Sequence, residues 1–155
     1  YSDSLHIDTT NIALFGHSMG GFVCLKALAQ LTGIKKGFAL STWDIYASAK
    51  DLKPSRVKEA AMQMGEYFVL NTSSEEIIKP VITNPSFYNL LNDTALLSGK
   101  QIIMLDEHNG NKDLAEAIKR SNHAYFDYEV WQTDHPFTNK RISLINKVLE
   151  FLDRN

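Results

Sequence analysis

The residues best placed to do chemistry form one short stretch, Gly16-His17-Ser18-Met19-Gly20-Gly21. A serine in the spacing G-x-S-x-G suits covalent acyl transfer when a strand runs into it and a helix leaves it. The serine then sits on a strained turn that projects its hydroxyl outward, and the glycines allow close chain passage where a Cβ would clash. That context is present: the apolar run Asn11-Ile12-Ala13-Leu14-Phe15-Gly16 precedes the serine, and a helical pattern begins at Met19. Ser18 is the candidate nucleophile. The Met19 amide, opening the helix, points at the place where an oxyanion would develop. His17 adjoins Ser18, but neighbours on a sharp turn diverge, so it reads as a packing residue and not as a base.

The elements that must hold this turn can be followed along the chain. Residues 11–16 read as a buried strand. Met19 to Thr32 reads as a mostly buried helix with Phe22, Leu25, Leu28 and Leu31 on one face and Gly33 as its C-cap. Gly37 to Thr42 is a second buried strand, Gln101 to Leu105 a third, and Tyr125 to Trp131 an alternating fourth. Asp113 to Arg120 is a helix with Leu114, Ala117 and Ile118 inward. A final helix from Asn139 carries Ile142, Ile145, Leu149 and Leu152 at helical spacing. Residues 45–98 are helical in pattern, with Val57, Ala60, Ala61 and Met64 on one face, a piece from Ser74 to Ile82, and Pro54, Pro80 and Pro85 as punctuation. Strand and helix in alternation predict an α/β class, a predominantly parallel sheet flanked by helices. Residues 45–98, too long for a crossover, read as a helical cap inserted within a single domain over 1–155.

Composition excludes several function classes. In 155 residues, sixteen Lys and Arg face eighteen Asp and Glu, a formal charge of -2, which gives no electrostatic reason for nucleic acid or an anionic membrane as partner. No apolar run approaches the roughly 18 residues of a membrane span. The single cysteine, Cys24, rules out an internal disulfide and a two-cysteine metal site, and on a buried helix it reads as inert. No two histidines have metal-ligand spacing, so neither metal nor cofactor is expected. A disulfide-free chain suits the cytoplasm, although an upstream segment could carry a signal.

With Asp8-Thr9-Thr10-Asn11-Ile12-Ala13-Leu14-Phe15 leading into its serine turn, the chain resembles the α/β-hydrolase superfamily, and within it the dienelactone-hydrolase and prolyl-oligopeptidase-like esterases. The resemblance implies the chain order serine, acid, histidine, with the acid after the next-to-last strand and the histidine after the last. His135, in Thr133-Asp134-His135-Pro136-Phe137, holds the position of the general base; His6, His108 and His123 do not. The acid is sought in Leu105-Asp106-Glu107-His108-Asn109-Gly110, where Asn109 occupies the usual position. Asp106 is the first choice because it closes the apolar run, Glu107 the second and Asp113 the third. Asp44, after the second strand, is a further candidate with a helix-capping role as its alternative, and Asp134 reads as a loop or helix-start residue.

Only seventeen residues precede Ser18, with no loop for a second oxyanion amide and no earlier strands. By resemblance the chain is the C-terminal half of a hydrolase, expected to self-associate or to pair with an N-terminal half through an uncovered sheet edge. The expected substrate is a small carboxylic ester, with a short peptide or amide second. Tyr46, Tyr67, Phe68, Phe87 and Tyr88 either line an acyl pocket or make the cap's own core. Two other readings compete: a non-catalytic binding module or inactive fragment, suggested by Asn109, and acyl transfer or perhydrolysis with the same triad.

Overall fold

The computed structural model describes residues 2–6, 8–64 and 71–154. In chain order its elements are α1 (Ser2–Leu5), β1 (Ala13–His17), α2 (Met19–Gln30), β2 (Lys36–Leu40), α3 (Ile45–Ala49), α4 (Val57–Met64), α5 (Ser74–Thr83), α6 (Pro85–Tyr88), β3 (Gln101–Asp106), α7 (Lys112–Ser121), β4 (Phe126–Val130) and α8 (Arg141–Leu152). Short 3-10 turns at Leu90–Leu97, Asn109–Asn111 and Thr138–Lys140 link them. The chain divides into two compact units, residues 1–43 with 93–155, and residues 44–92.

The first unit is an α/β layer structure. Its four strands lie in the order β1-β2-β3-β4, every pair parallel, so each strand neighbours its successor in sequence. Because the pairing is parallel and in register, the four strands end together at one edge. Alternation along the strands separates two faces. Phe38 and Leu40 of β2 and Ile103 and Leu105 of β3 make one core with Phe137 and with Phe151 of α8. Gly37 faces the other way, where a Cβ would stand 2.6 Å from Leu28 Cδ2 of α2. β1 forms one margin of the sheet, and Phe15 stacks on Phe38 yet remains exposed.

Two details differ from the periodicity reading. In α8 the inward face is Leu144, Val148 and Phe151, while Ile142, Ile145, Leu149 and Leu152 are 44–78% exposed. The helix carries two apolar stripes, and Phe151, the larger anchor, decides which one meets the sheet. α2 ends in extended backbone at Leu31, itself exposed, so Gly33 is not its C-cap.

The second unit is helical in its described residues. α4 and α5 pack on one another, with α3 and α6 against α5. A capping box starts α5: the Ser73 hydroxyl accepts from the Glu76 amide, and the Glu76 carboxylate accepts from the Ser73 amide. Pro80 lies inside α5 and does not end it; beyond it the Asn84 amide still donates to the Pro80 carbonyl. Asp44 caps α3 by accepting from the Ala47 amide at 2.9 Å. Of the five aromatics of interest, Tyr67 and Phe68 lie outside the described residues; Phe87 and Tyr88 meet edge to face at 5.1 Å.

Candidate active site

Four side chains with chemical potential leave the sheet at its C-terminal edge, one after each strand: Ser18, Ser41, Glu107 and His135. Open α/β sheets bind ligands outside this edge, because the strand ends and following loops converge there.

Ser18 follows β1 with φ 59 and ψ -118, a conformation that non-glycine residues rarely adopt. The surrounding backbone over-determines it. The Ser18 amide donates to the Leu40 carbonyl at 2.8 Å, and the Ser18 carbonyl accepts from the amides of Gly21 at 2.9 Å and Trp43 at 3.0 Å. The start of α2 and the end of β2 thus clamp the serine from both sides. Such strain is characteristic of sites where a side chain must be presented and not buried. The Met19 amide, first in α2, is one of the helix's N-terminal donors with no intrahelical acceptor.

The glycines around it are not equivalent. A Cβ on Gly16 would fall 1.9 Å from the Gly20 carbonyl oxygen, and one on Gly21 2.8 Å from Thr42 Oγ1, whereas a Cβ on Gly20 meets nothing within 4 Å. Gly16→Ala therefore forces backbone from backbone and should cost more than about 3 kcal/mol, at the upper end of overpacking effects. Gly20→Ala, inside a helix, should be neutral or stabilising by up to about 1 kcal/mol. Thermal unfolding of the two variants reads this difference directly; equal losses would contradict the close passage.

His135 lies on the loop after β4. That loop is anchored by the Trp131 amide on the Asp106 carbonyl at 2.8 Å, by fully buried Phe137 with φ 55, and by Asp134, which accepts from the Thr138 amide at 2.6 Å. Asp134 is thus a loop brace. The His135 Nδ1 contacts Glu107 Oε1 at 2.7 Å, and the Ser41 hydroxyl donates to the other oxygen, Oε2, at 2.5 Å. Burial pushes the Glu107 carboxyl up, but the hydrogen bonds from Ser41 and His135 outweigh it and leave the pKa below its ordinary 4.5. Glu107 is accordingly a carboxylate at neutral pH and can only accept. Nδ1 of His135 then carries a proton and donates it to Glu107.

Asp106, the first choice for the acid, does not reach His135. It is fully buried and accepts from the Asn111 side chain at 2.9 Å, while Asn111 also donates to the Thr42 carbonyl at 2.8 Å. Strand alternation explains this. As the last residue of β3, Asp106 shares a face with Ile102 and Met104 and points away from the His135 loop. Glu107, one residue on, takes the face of Ile103 and Leu105, against which Phe137 packs. Asp113 is in the first turn of α7, Asp44 is a helix cap, and Asn109 lies in the 3-10 turn after β3. His108 stands 3.9 Å from Glu107 and is largely exposed.

One residue of this cluster escaped the sequence reading. Ser41, one residue past β2, has φ 45 and holds Glu107. Removing its hydroxyl takes one hydrogen bond from a carboxylate whose pKa the fold lowers. Such a group adds stability above its ordinary 4.5 and loses it as pH falls through the folded value. Ser41→Ala should therefore cost about 2 kcal/mol at pH 7, and the difference should shrink as urea titrations move below pH 4.5. His17, read from the sequence as a packing residue, contacts the His135 loop. Its Nε2 bonds the His135 carbonyl at 3.0 Å and its ring lies 4.6 Å from the His135 ring, bringing the serine turn and the histidine loop together. The Ser18 hydroxyl and the His135 ring share no hydrogen bond in the structure; hydrogen bonds between reacting groups commonly tighten only when a substrate is bound.

Cys24 is buried on α2 between the Leu14 and Phe38 carbonyls, and burial pushes its thiol up to about 11, so it stays protonated and unreactive. Among the described residues no group of three His, Cys, Asp or Glu could hold a metal, and no helix is long and apolar enough to cross a membrane. A surface cavity of about 370 Å³ lies elsewhere, between α7 and β4, lined by Lys112, Lys119, Phe126 and Tyr128.

Among solved structures, the chain is similar to the Pyrococcus furiosus esterase Pf2001 in two crystal forms, each at TM-score 0.58 and 20% identity. The match covers 94% of this chain and 53% of the esterase, so the chain spans about half the length of that protein. The likeness is one of fold, and it places the parallel sheet in the α/β-hydrolase class. Comparison with the curated proteins finds no match. The sequence model of one family, described as platelet-activating factor acetylhydrolase, isoform II, matches residues 4–129. That match takes in the strained serine, Ser41 and Glu107, and by it the chain belongs to the platelet-activating factor acetylhydrolase isoform II family.

Proposed function

We propose that the chain hydrolyses a small carboxylic ester through an acyl-enzyme on Ser18, with His135 as general base and Glu107 as the carboxylate behind it. The observation that carries this reading is the 2.7 Å contact between His135 Nδ1 and an ionised Glu107, on the same sheet edge as a serine held in a strained turn. With Nδ1 protonated, Nε2 accepts the Ser18 proton as the hydroxyl attacks the acyl carbon, and Glu107 stabilises the imidazolium that results. The Met19 amide donates to the oxyanion. His135 then returns its proton to the leaving alcohol, and water repeats the cycle on the acyl-enzyme.

The family's name speaks of acetyl hydrolysis, which favours a short acyl group; a short peptide is the second substrate class. Loss of one oxyanion donor costs about 10²–10³ in turnover.

Labelling with a fluorophosphonate, alongside hydrolysis of p-nitrophenyl acetate, tests the reading. Covalent labelling that maps to Ser18 supports it. A folded chain that neither labels nor hydrolyses, alone or within a longer polypeptide, sinks it.

A further inference from the structure

His17 lies beside the nucleophile in sequence. It ends β1 on the face of Phe15, opposite to Gly16, whose missing side chain faces Gly20 and Cys24 of α2. That orientation aims the ring at the His135 loop, where it makes two contacts. A carbonyl oxygen can only accept, so His17 Nε2 carries a proton and donates it to the His135 carbonyl at 3.0 Å. The two imidazole rings lie 4.6 Å apart at 41°, a tilted contact.

We infer that His17 is a positioning residue, which sets the His135 ring relative to Ser18. The inference deepens the esterase reading and rests on it. The path from nucleophile to base through His17 is short: one peptide bond, one side chain and one hydrogen bond to the backbone of the base itself. The other connection runs through Glu107 and β3, and it fixes only the Nδ1 side of the ring. Half of the His135 side chain is exposed, so little else packs on it. Glu107 and His17 together constrain the ring at its Nδ1, at its face and at its backbone. This leaves Nε2, the atom that must meet the Ser18 hydroxyl, with little freedom. Misplacement of a catalytic group by about 1 Å can cost about 10² in rate.

Three variants separate the two contacts. His17→Gln keeps a donor at a similar reach, His17→Phe keeps only a ring, and His17→Ala keeps neither. With p-nitrophenyl acetate, His17→Phe and His17→Ala should lower kcat by about 10- to 100-fold, with KM essentially unchanged, and His17→Gln should restore most of it. The fluorophosphonate labelling rate should fall in parallel, and thermal stability should not track the loss. Independently of turnover, NMR order parameters of the His135 ring should drop in His17→Phe and His17→Ala and recover in His17→Gln. An inert wild type would overturn the esterase reading, while the ring dynamics would still decide the role of His17. A His135 ring equally ordered in all variants overturns the inference, as does unchanged kcat in His17→Phe and His17→Ala, or equal loss in all three.

Discussion

Glu107→Gln should lower kcat by about 10⁴, with little change in KM, and Asp106→Asn should not. Glutamine is nearly isosteric, so the His135 loop can stay in place. What disappears is the negative charge facing the imidazolium in the transition state, together with the acceptor that dictates which ring nitrogen is protonated. An amide at position 107 can present its NH2 to Nδ1 and so stabilise the wrong tautomer. Asp106, fully buried and bonded to Asn111, lies outside that circuit. Burial pushes its carboxyl above the ordinary 3.8, against the Asn111 hydrogen bond. Between 3.8 and the raised value, the folded state keeps a proton that the unfolded chain has released, so stability falls as pH rises through that window. Above the window the cost of an ionised buried carboxylate persists. Asparagine carries no such cost, so Asp106→Asn should be no less stable than wild type at pH 7, and its relative advantage should vanish in acid. Steady-state kinetics with urea unfolding at several pH values read both halves. Turnover lost in Asp106→Asn and kept in Glu107→Gln would reverse the two roles.

Ser18→Ala should abolish fluorophosphonate labelling and reduce kcat by about 10⁶, the scale on which a serine nucleophile's removal is felt when its partners remain. The fold should survive, because the clamp on this residue uses its backbone amide and carbonyl and not its hydroxyl. Alanine still has a Cβ at φ 59, so the strain stays and stability should change little. Ser18→Gly is the informative partner. Glycine adopts this conformation freely, and strained positions of this kind cost of order 1–3 kcal/mol. After glycine's extra unfolded-state entropy, a gain of about 1 kcal/mol should remain. An inactive Ser18→Gly that is more stable than wild type would show strain held for function. A Ser18→Gly that is less stable would mean that the turn is relaxed.

Much of this was legible in the sequence, and the reason is local. Gly16, Ser18 and the change from strand to helix across them are consecutive, so periodicity and one motif were enough to find the turn. The four strands announced themselves as short apolar or alternating runs, and strand-helix alternation implied parallel pairing. The His135 loop was located by chain order, from the resemblance to α/β hydrolases.

The choice between Asp106 and Glu107 was not legible, because it depends on which residue is the last to obey the sheet's alternation. A one-residue difference at the end of β3 sends one carboxylate to Asn111 and the next to His135. The α8 stripes show the same limit: periodicity identifies a helix, but which of two apolar faces is buried depends on the partner that Phe151 finds in Phe38. His17 is the sharpest case. A packing role was readable from the sequence, yet what His17 packs on, the backbone of a residue 118 positions away, is beside it only once β1 and the loop after β4 share one edge. Sequence determined the turn, the strands and the candidate groups, because these follow from neighbours along the chain. Tertiary structure alone decided which groups meet, because side-chain direction and distant contacts are set by register and packing.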